Sequence, residues 1–332
     1  MQIKQAVIQS EKDKIKDFLA ENNLKFRQDV DYSFYIELDG EIVGTVSVDG
    51  NLILQLALDK KVRGENLALK LVDHALSVLR ENKIYGYKVF TKPDYKDLFV
   101  SLGMKVLVCA NDFVSLEGGE SNVFDTLKGL KTKITMELGV VYPNSGSVVI
   151  NGNPFTEGHL ALIEHALKRH EKVLVFVLEE DLSYFSFKER YSLAFLATRS
   201  YGDRVCVLPS TDYVVSKSTF PDYFLHGEDQ TTRAFAEYDA LIFKNYFMPE
   251  LGITRRYFGS EKTGYMQIYN EQMKKVLGDG AEVVERFDLN GEQISAKTVR
   301  HHIQNGDVEK AIELVPQSTR AVLKMILKGK NA

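Results

Sequence analysis

Apolar and polar residues follow two different rhythms along this chain. Over the first third, short alternating runs predominate. Tyr32–Leu38 and Glu41–Val48 alternate and are split by Asp39-Gly40. Asp-Gly between two alternating runs predicts a tight hairpin. Leu52–Leu58 follows Asp49-Gly50 as a further strand, and Gly86–Thr91 and Lys105–Ala110 read as two more. Helical spacing puts Ile15, Phe18 and Leu19 on one face over residues 10–22, and Leu71, Ala75, Leu76 and Leu79 on one face further on. A short helix is expected over Tyr95–Leu102. Leu116–Asn122 is polar and glycine-rich, Val123–Leu138 reads as connecting, and Tyr142–Gly146 ends the linker. From Ser147 the rhythm changes. Apolar runs at Ser147–Ile150, Lys172–Leu178, Arg204–Leu208, Arg256–Glu261 and Glu282–Phe287 are separated by helical stretches. Such runs predict a parallel sheet covered on both faces. Ligands bind beyond the carboxyl ends of strands in such a sheet. In the helical tail, Ile303, Ala311, Ile312, Leu314 and Leu323 are expected in the core. The expected class is α/β: an α+β unit over residues 1–115, a linker over 116–145, and a doubly wound parallel-sheet unit over 146–332.

The first strand of the second unit leads into the most informative stretch. Ser147–Ile150 is followed by Asn151-Gly152-Asn153-Pro154-Phe155-Thr156-Glu157-Gly158-His159, then by a helical period through Leu160, Ile163 and Leu167. Thr156 and His159 fall where the loop becomes the helix. A helix start offers free N–H groups and a positive dipole end, which suit phosphate. Gly158 lets the backbone come close to a ligand without a Cβ in the way. The plainer alternative is a helix-start histidine beside a packing glycine. Downstream, Ile294-Ser295-Ala296-Lys297-Thr298-Val299-Arg300 begins another helix, with Ser295 as N-cap.

Together these stretches resemble the two signatures of the nucleotidylyltransferase superfamily, (His/Thr)-x-Gly-His and Ile-Ser-x-Ser/Thr-x-x-Arg. The resemblance implies an ATP site. His159 and Thr156 would meet the α-phosphate, with Asn151, Asn153, Pro154, Phe155 and Gly158 shaping the loop around the nucleotide. Ser295 and Arg300 would hold the leaving pyrophosphate, with Mg²⁺ bridging. Lys297 stands where that family carries a small hydroxyl residue, and could serve a phosphate as a point charge. Glu261, at the exit of the fourth strand, joins the ATP-binding set.

The order of elements over residues 1–115 resembles the GNAT acetyltransferase fold. In that family Arg/Gln-x-x-Gly-x-Gly/Ala opens the central helix and holds the acyl-CoA pyrophosphate. Here the same place reads Lys61-Val62-Arg63-Gly64-Glu65-Asn66. Arg63, Gly64 and Asn66 are the candidates for a CoA-like moiety. Lys61 and Asn66 depart from the pattern, so a docking or CoA-sensing module is the preferred reading over an active acetyltransferase.

Composition narrows the field. The chain has 332 residues, a formal net charge of −4, 44% hydrophobic residues and two cysteines. That length predicts two cores. The net charge argues against a general nucleic-acid binder. Cys109 and Cys206 are far apart and lie in no metal-ligand spacing, which argues against a disulfide framework or a zinc site. No signal peptide and no membrane-length apolar run is read, so no membrane and a cytoplasmic location are expected.

The pairing of a GNAT-like start with this kind of nucleotidylyltransferase resembles the citrate lyase ligase family, over nearly the whole chain. Besides the two motifs, Glu180-Asp181-Leu182-Ser183-Tyr184-Phe185, Ser218-Thr219-Phe220-Pro221-Asp222-Tyr223-Phe224 and Tyr269-Asn270-Glu271-Gln272-Met273 carry the likeness. Glu179 stands where that family tends to have Lys. The resemblance implies that acetate is activated with ATP as acetyl-adenylate. The acetyl group then passes to the thiol of a CoA-like group on the citrate lyase acyl carrier protein. Lys217 and Arg190 are weaker candidates for acetate or a phosphate. The alternatives are an adenylyltransferase of cofactor biosynthesis, acting on phosphopantetheine or a pyridine mononucleotide, and a nucleotide-sensing regulator without turnover.

Overall fold

A computed structural model of the chain describes residues 2–62, 66–260, 264–285, 288–289 and 292–330. Contacts divide the chain into two compact units: residues 1–122 with 221–234, and residues 123–220 with 235–332.

The first unit is built on a sheet of β1 (Ile3–Gln5), β2 (Tyr32–Leu38), β3 (Glu41–Asp49), β4 (Leu52–Leu58), β5 (Gly86–Thr91), β6 (Lys105–Cys109) and β7 (Val114–Gly119), in the order β1-β2-β3-β4-β5-β7-β6. Neighbours are antiparallel except β4 and β5, which are parallel. That pair needs a crossover, supplied by α2 (Leu67–Glu81). Strand alternation sends Phe34 and Ile36 into a core with Leu71, Val72 and Ala75 of α2. Tyr35, between them, packs instead with Ile15, Phe18 and Leu19 of α1 (Gln9–Glu21). α3 (Lys96–Ser101) precedes β6.

The second unit starts with α4 (Val123–Leu138), β8 (Ser145–Ile150), α5 (Glu157–Leu167), β9 (Val173–Val177), α6 (Phe187–Thr198) and β10 (Val205–Pro209). It continues with the part of α7 (Glu228–Ile242) from Phe235 on, then α8 (Met248–Leu251), β11 (Ile253–Gly259), α9 (Tyr265–Leu277), β12 (Ala281–Val284), β13 (Asp288–Leu289) and β14 (Glu292–Gln293). It ends with α10 (Ala296–Gln304), α11 (Val308–Glu313) and α12 (Arg320–Lys330). Its sheet is parallel, in the order β10-β9-β8-β11-β12. Both faces are covered, which explains the unbroken apolar run of β9. Val173, Val175 and Val177 join a core with Ile163, Ala166, Leu193 and Ala194. Phe176, pointing the other way, packs edge-on against Phe243 and Phe247. The expected fold class is the one observed. The strand order reverses between β8 and β11, where such sheets open a crevice at their carboxyl ends.

Three expectations about organisation are corrected. A boundary at residue 115 would cut β7, which pairs with both β5 and β6. The stretch 116–145 is no plain linker, because α4 buries Val123, Leu127, Leu130, Ile134 and Leu138 at helical spacing. Residues 221–234 count with the first unit although the sequence reads on through them. Two strands also shift. The fourth begins earlier and is described over Ile253–Gly259, and the fifth over Ala281–Val284; residues 261, 286 and 287 of the expected runs lie outside the described residues.

Candidate active site

At the carboxyl ends of β8 and β11 lies a cavity of about 710 Å³, within the range of small-molecule sites. The loop after β8 feeds it. Thr156 is the N-cap of α5, and the backbone N–H of Thr156 donates to Nδ1 of His159 at 3.0 Å. The Thr156 hydroxyl lies 2.9 Å from the same nitrogen. A backbone N–H can only donate, so Nδ1 is an acceptor and the neutral ring carries its proton on Nε2. A cap that reaches back from the third helical position is thus what orients the imidazole. His159, Thr156, Gly158 and Asn151 all line the cavity.

The second motif arrives from the far end of the chain. Ser295 caps α10, its Oγ accepting from the Thr298 N–H at 3.0 Å and lying 2.8 Å from the Thr298 hydroxyl. A Cβ at position 158 would come within 3.2 Å of the Ile294 carbonyl oxygen. Gly158 therefore serves the close approach of the two motifs. Ser295, Lys297 and Arg300 line the same cavity as His159. Two helix starts, with their positive dipole ends, so share one cavity. Arg300 Nη1 donates to the Asn153 carbonyl, and burial lowers the pKa of its guanidinium. Lys217 also lines the cavity, its ammonium 4.3 Å from the centre of the Tyr265 ring.

Other expected residues stand behind the wall rather than in it. Phe155 is fully buried in the core with its ring 5.3 Å from that of His159. Asn153, joined to Pro154 by a cis bond, accepts at Oδ1 from the Phe185 N–H at 3.1 Å. Arg190 is a correction. It is fully buried, and its donors go to the carbonyls of Phe185 at 3.0 Å, Leu178 at 2.7 Å, Asn151 at 2.9 Å and Glu180. Burial lowers its pKa, with Glu180 and Asp181 opposing. It ties together the loops after β8 and β9 and does not line the cavity, so it is not placed to meet acetate or phosphate. Glu179 is exposed, partial desolvation of its carboxyl raises its pKa, and it does not line the cavity either. Glu261, Arg63 and Gly64 lie outside the described residues. Asn66 stands at φ +56° as N-cap of α2. Asparagine tolerates that left-handed conformation better than most side chains, which explains how it stands where the pattern has glycine.

The sequence reading missed part of the wall. Glu180 lines the cavity and takes a hydrogen bond from the Ser216 hydroxyl. Deeper, Arg256 and Asp239 form a two-pronged pair at 3.0 and 2.8 Å, both almost fully buried. Tyr269 accepts from Arg256 at 3.1 Å and donates to Asp239. A signal existed: Asp239 sits between Tyr238 and Ala240, and Arg256 directly precedes the aromatic pair Tyr257 and Phe258 in β11. Charges in such places need each other.

The model of the citrate lyase ligase C-terminal domain matches residues 145–323. The chain belongs to the citrate lyase ligase family. The [citrate [pro-3S]-lyase] ligase of Haemophilus influenzae is 31% identical over 315 residues, covering 92% of this chain and 92% of its own length. That of Klebsiella pneumoniae is 30% identical over 329 residues, covering 96% of this chain and 94% of its own length. Among solved structures, a GNAT-family acetyltransferase of Staphylococcus aureus Mu50 is similar to 36% of this chain and over 100% of its own length, at 17% identity and a TM-score of 0.30. Both motifs of this citrate lyase ligase family member lie inside the matched span. Among the described residues no helix is long and apolar enough to cross a membrane.

Proposed function

We propose that the cavity joins acetate to ATP and passes the acetyl group to the thiol on the prosthetic group of the citrate lyase acyl carrier protein. The observation that carries this is the convergence of two capped helix starts, with His159 and Arg300, on one cavity at the switch point of a parallel sheet. An acetate oxygen attacks the α-phosphorus, the bond to the β-phosphate breaks, and pyrophosphate leaves. The carrier thiol then attacks the acetyl carbonyl carbon, AMP leaves with the bonding electron pair, and the thiol proton goes to solvent. No protein nucleophile is required. The demand is for positive charge and donors where negative charge gathers.

His159 donates from Nε2 to an α-phosphate oxygen, while Thr156 fixes the ring. The α10 start, with Ser295, Lys297 and Arg300, holds the departing β- and γ-phosphates. Lys217 neutralises the acetate carboxylate. Among the described residues no group of three His, Cys, Asp or Glu is arranged to hold a metal ion. Mg²⁺ suits this design if it enters on the nucleotide phosphates, since it keeps much of its water shell and takes few protein ligands. When bound it supplies charge neutralisation. ATP use and two unpaired cysteines accord with a cytoplasmic setting.

The test is exchange of labelled pyrophosphate into ATP. We expect exchange that requires acetate. Exchange that needs a phosphorylated acceptor instead would favour a cofactor adenylyltransferase, and none at all a nucleotide sensor. Arg300→Lys is expected to raise the KM for ATP roughly tenfold with a smaller change in kcat, because Lys keeps the charge and loses the fork. An unchanged KM would move the phosphate contact to Lys297.

A further inference from the structure

In the first unit, β4 and β5 are parallel neighbours in register only at Leu52–Lys88 and Ile53–Val89. β4 runs on to Leu58 and β5 to Thr91, so the strands part towards their carboxyl ends. The break lies at Gln55, which is at φ +53° where β4 slips register with β3. α2 follows β4, so its start lies on the side where the strands have parted. A molecule whose phosphates rested at that helix start would lead an extended, amide-bearing arm into the gap, as an added strand would lie.

The chain fills the gap itself. Tyr223 is 3% exposed, and its hydroxyl donates to the Phe90 carbonyl of β5 at 2.7 Å. The same hydroxyl meets the Gln55 backbone of β4 and the Thr91 side chain. Tyr223 thus bridges the two strands where they diverge. Its own carbonyl accepts from the Lys25 N–H at 2.6 Å, and Gln55 Nε2 donates to the Lys25 carbonyl at 3.0 Å. Lys25 Nζ pairs with Asp222 at 2.9 Å. Phe224 and Leu225 are buried alongside. Further along, Gln230 donates to Asp112 at 3.2 Å. Every one of these partners belongs to the first unit.

We propose that residues 221–234 are a strap that closes this gap, and that a pantetheine-bearing molecule enters it only when Tyr223 is displaced. With the strap in place the first unit holds no acyl-CoA arm there. The expected resting place of a CoA-like moiety near Asn66 is then blocked beyond its phosphates. The inference stands apart from the adenylation proposed for the second unit.

The probe is coenzyme A itself, measured by equilibrium binding to the full chain. Saturating α,β-methylene ATP keeps the second unit's cavity occupied, and binding of that analogue is checked separately. Wild type is expected to show no saturable coenzyme A binding up to the millimolar range. Tyr223→Ala should gain saturable binding at least tenfold tighter than any wild-type signal, and Tyr223→Phe should stay near wild type because the ring remains. If Tyr223→Ala does not melt cooperatively, the double variant Lys25→Ala/Asp222→Ala loosens the strap without removing a core side chain and should gain binding in its place. Tight wild-type binding, or folded variants that gain none, overturns the proposal. Pyrophosphate exchange, read in parallel, reports on the adenylation reading alone.

Discussion

Replacing His159 with alanine is expected to lower acetate-dependent pyrophosphate exchange by roughly 10²–10³-fold, the usual cost of losing a donor aimed at developing charge. The melting temperature should move little. The ring contributes one capping contact to the Thr156 N–H, a cap of the kind worth about 1 kcal/mol. The rest of the α5 start has other partners: the Glu157 N–H donates to the Leu314 carbonyl at 3.0 Å, and the Leu160 N–H to the Thr156 carbonyl at 3.2 Å. Its apolar face stays seated through Leu162, Ile163 and Ala166. Exchange kinetics and a thermal melt on the same preparation check both halves. Near-wild-type exchange would remove His159 from the reaction. A lost cooperative melt would show the histidine to be a structural cap and no more.

Asp239→Asn should cost about 3–5 kcal/mol, because it leaves the Arg256 guanidinium buried without its counter-charge. For a unit of this size that corresponds to a melting transition lower by roughly 10 °C. Burial by itself would lower the Arg256 pKa; the facing carboxylate and the Tyr269 hydroxyl reverse the sign, so it ends raised. The stacking of the guanidinium over Phe243, 4.5 Å from its centre, survives the change but offers no negative charge. Adding Arg256→Met should recover much of the loss, since an apolar side chain needs no partner there. Differential scanning calorimetry of wild type, single and double variants makes the comparison. A single variant melting with wild type, or a double variant worse than the single, would show that the pair does not stabilise the cavity wall.

Much of the fold was legible because its signals are local. Asp39-Gly40 marks the β2–β3 hairpin, and the unbroken Val173–Val177 run marks a strand buried on both faces. The two motifs announce themselves as strand, loop and helix start within about a dozen residues each. α4 is missed in the sequence reading: Val123, Leu127, Leu130, Ile134 and Leu138 keep helical spacing, but the polar residues between them pass as a connection.

What the sequence alone determined is which face each segment would bury and where helices begin capped. Those follow from periodicity and from the chemistry of Thr156 and Ser295. Only the tertiary structure decided which distant faces meet. It turned Arg190 from a candidate anion contact into a clasp on four carbonyls, and it paired Asp239 with Arg256 across the cavity wall. It also brought Asp222 to Lys25, 197 positions away, so that a stretch read as part of the second unit belongs to the first. The reason is physical. A residue's burial preference depends on its neighbours in the chain, but a hydrogen bond or ion pair depends on a partner whose position only the closed fold sets.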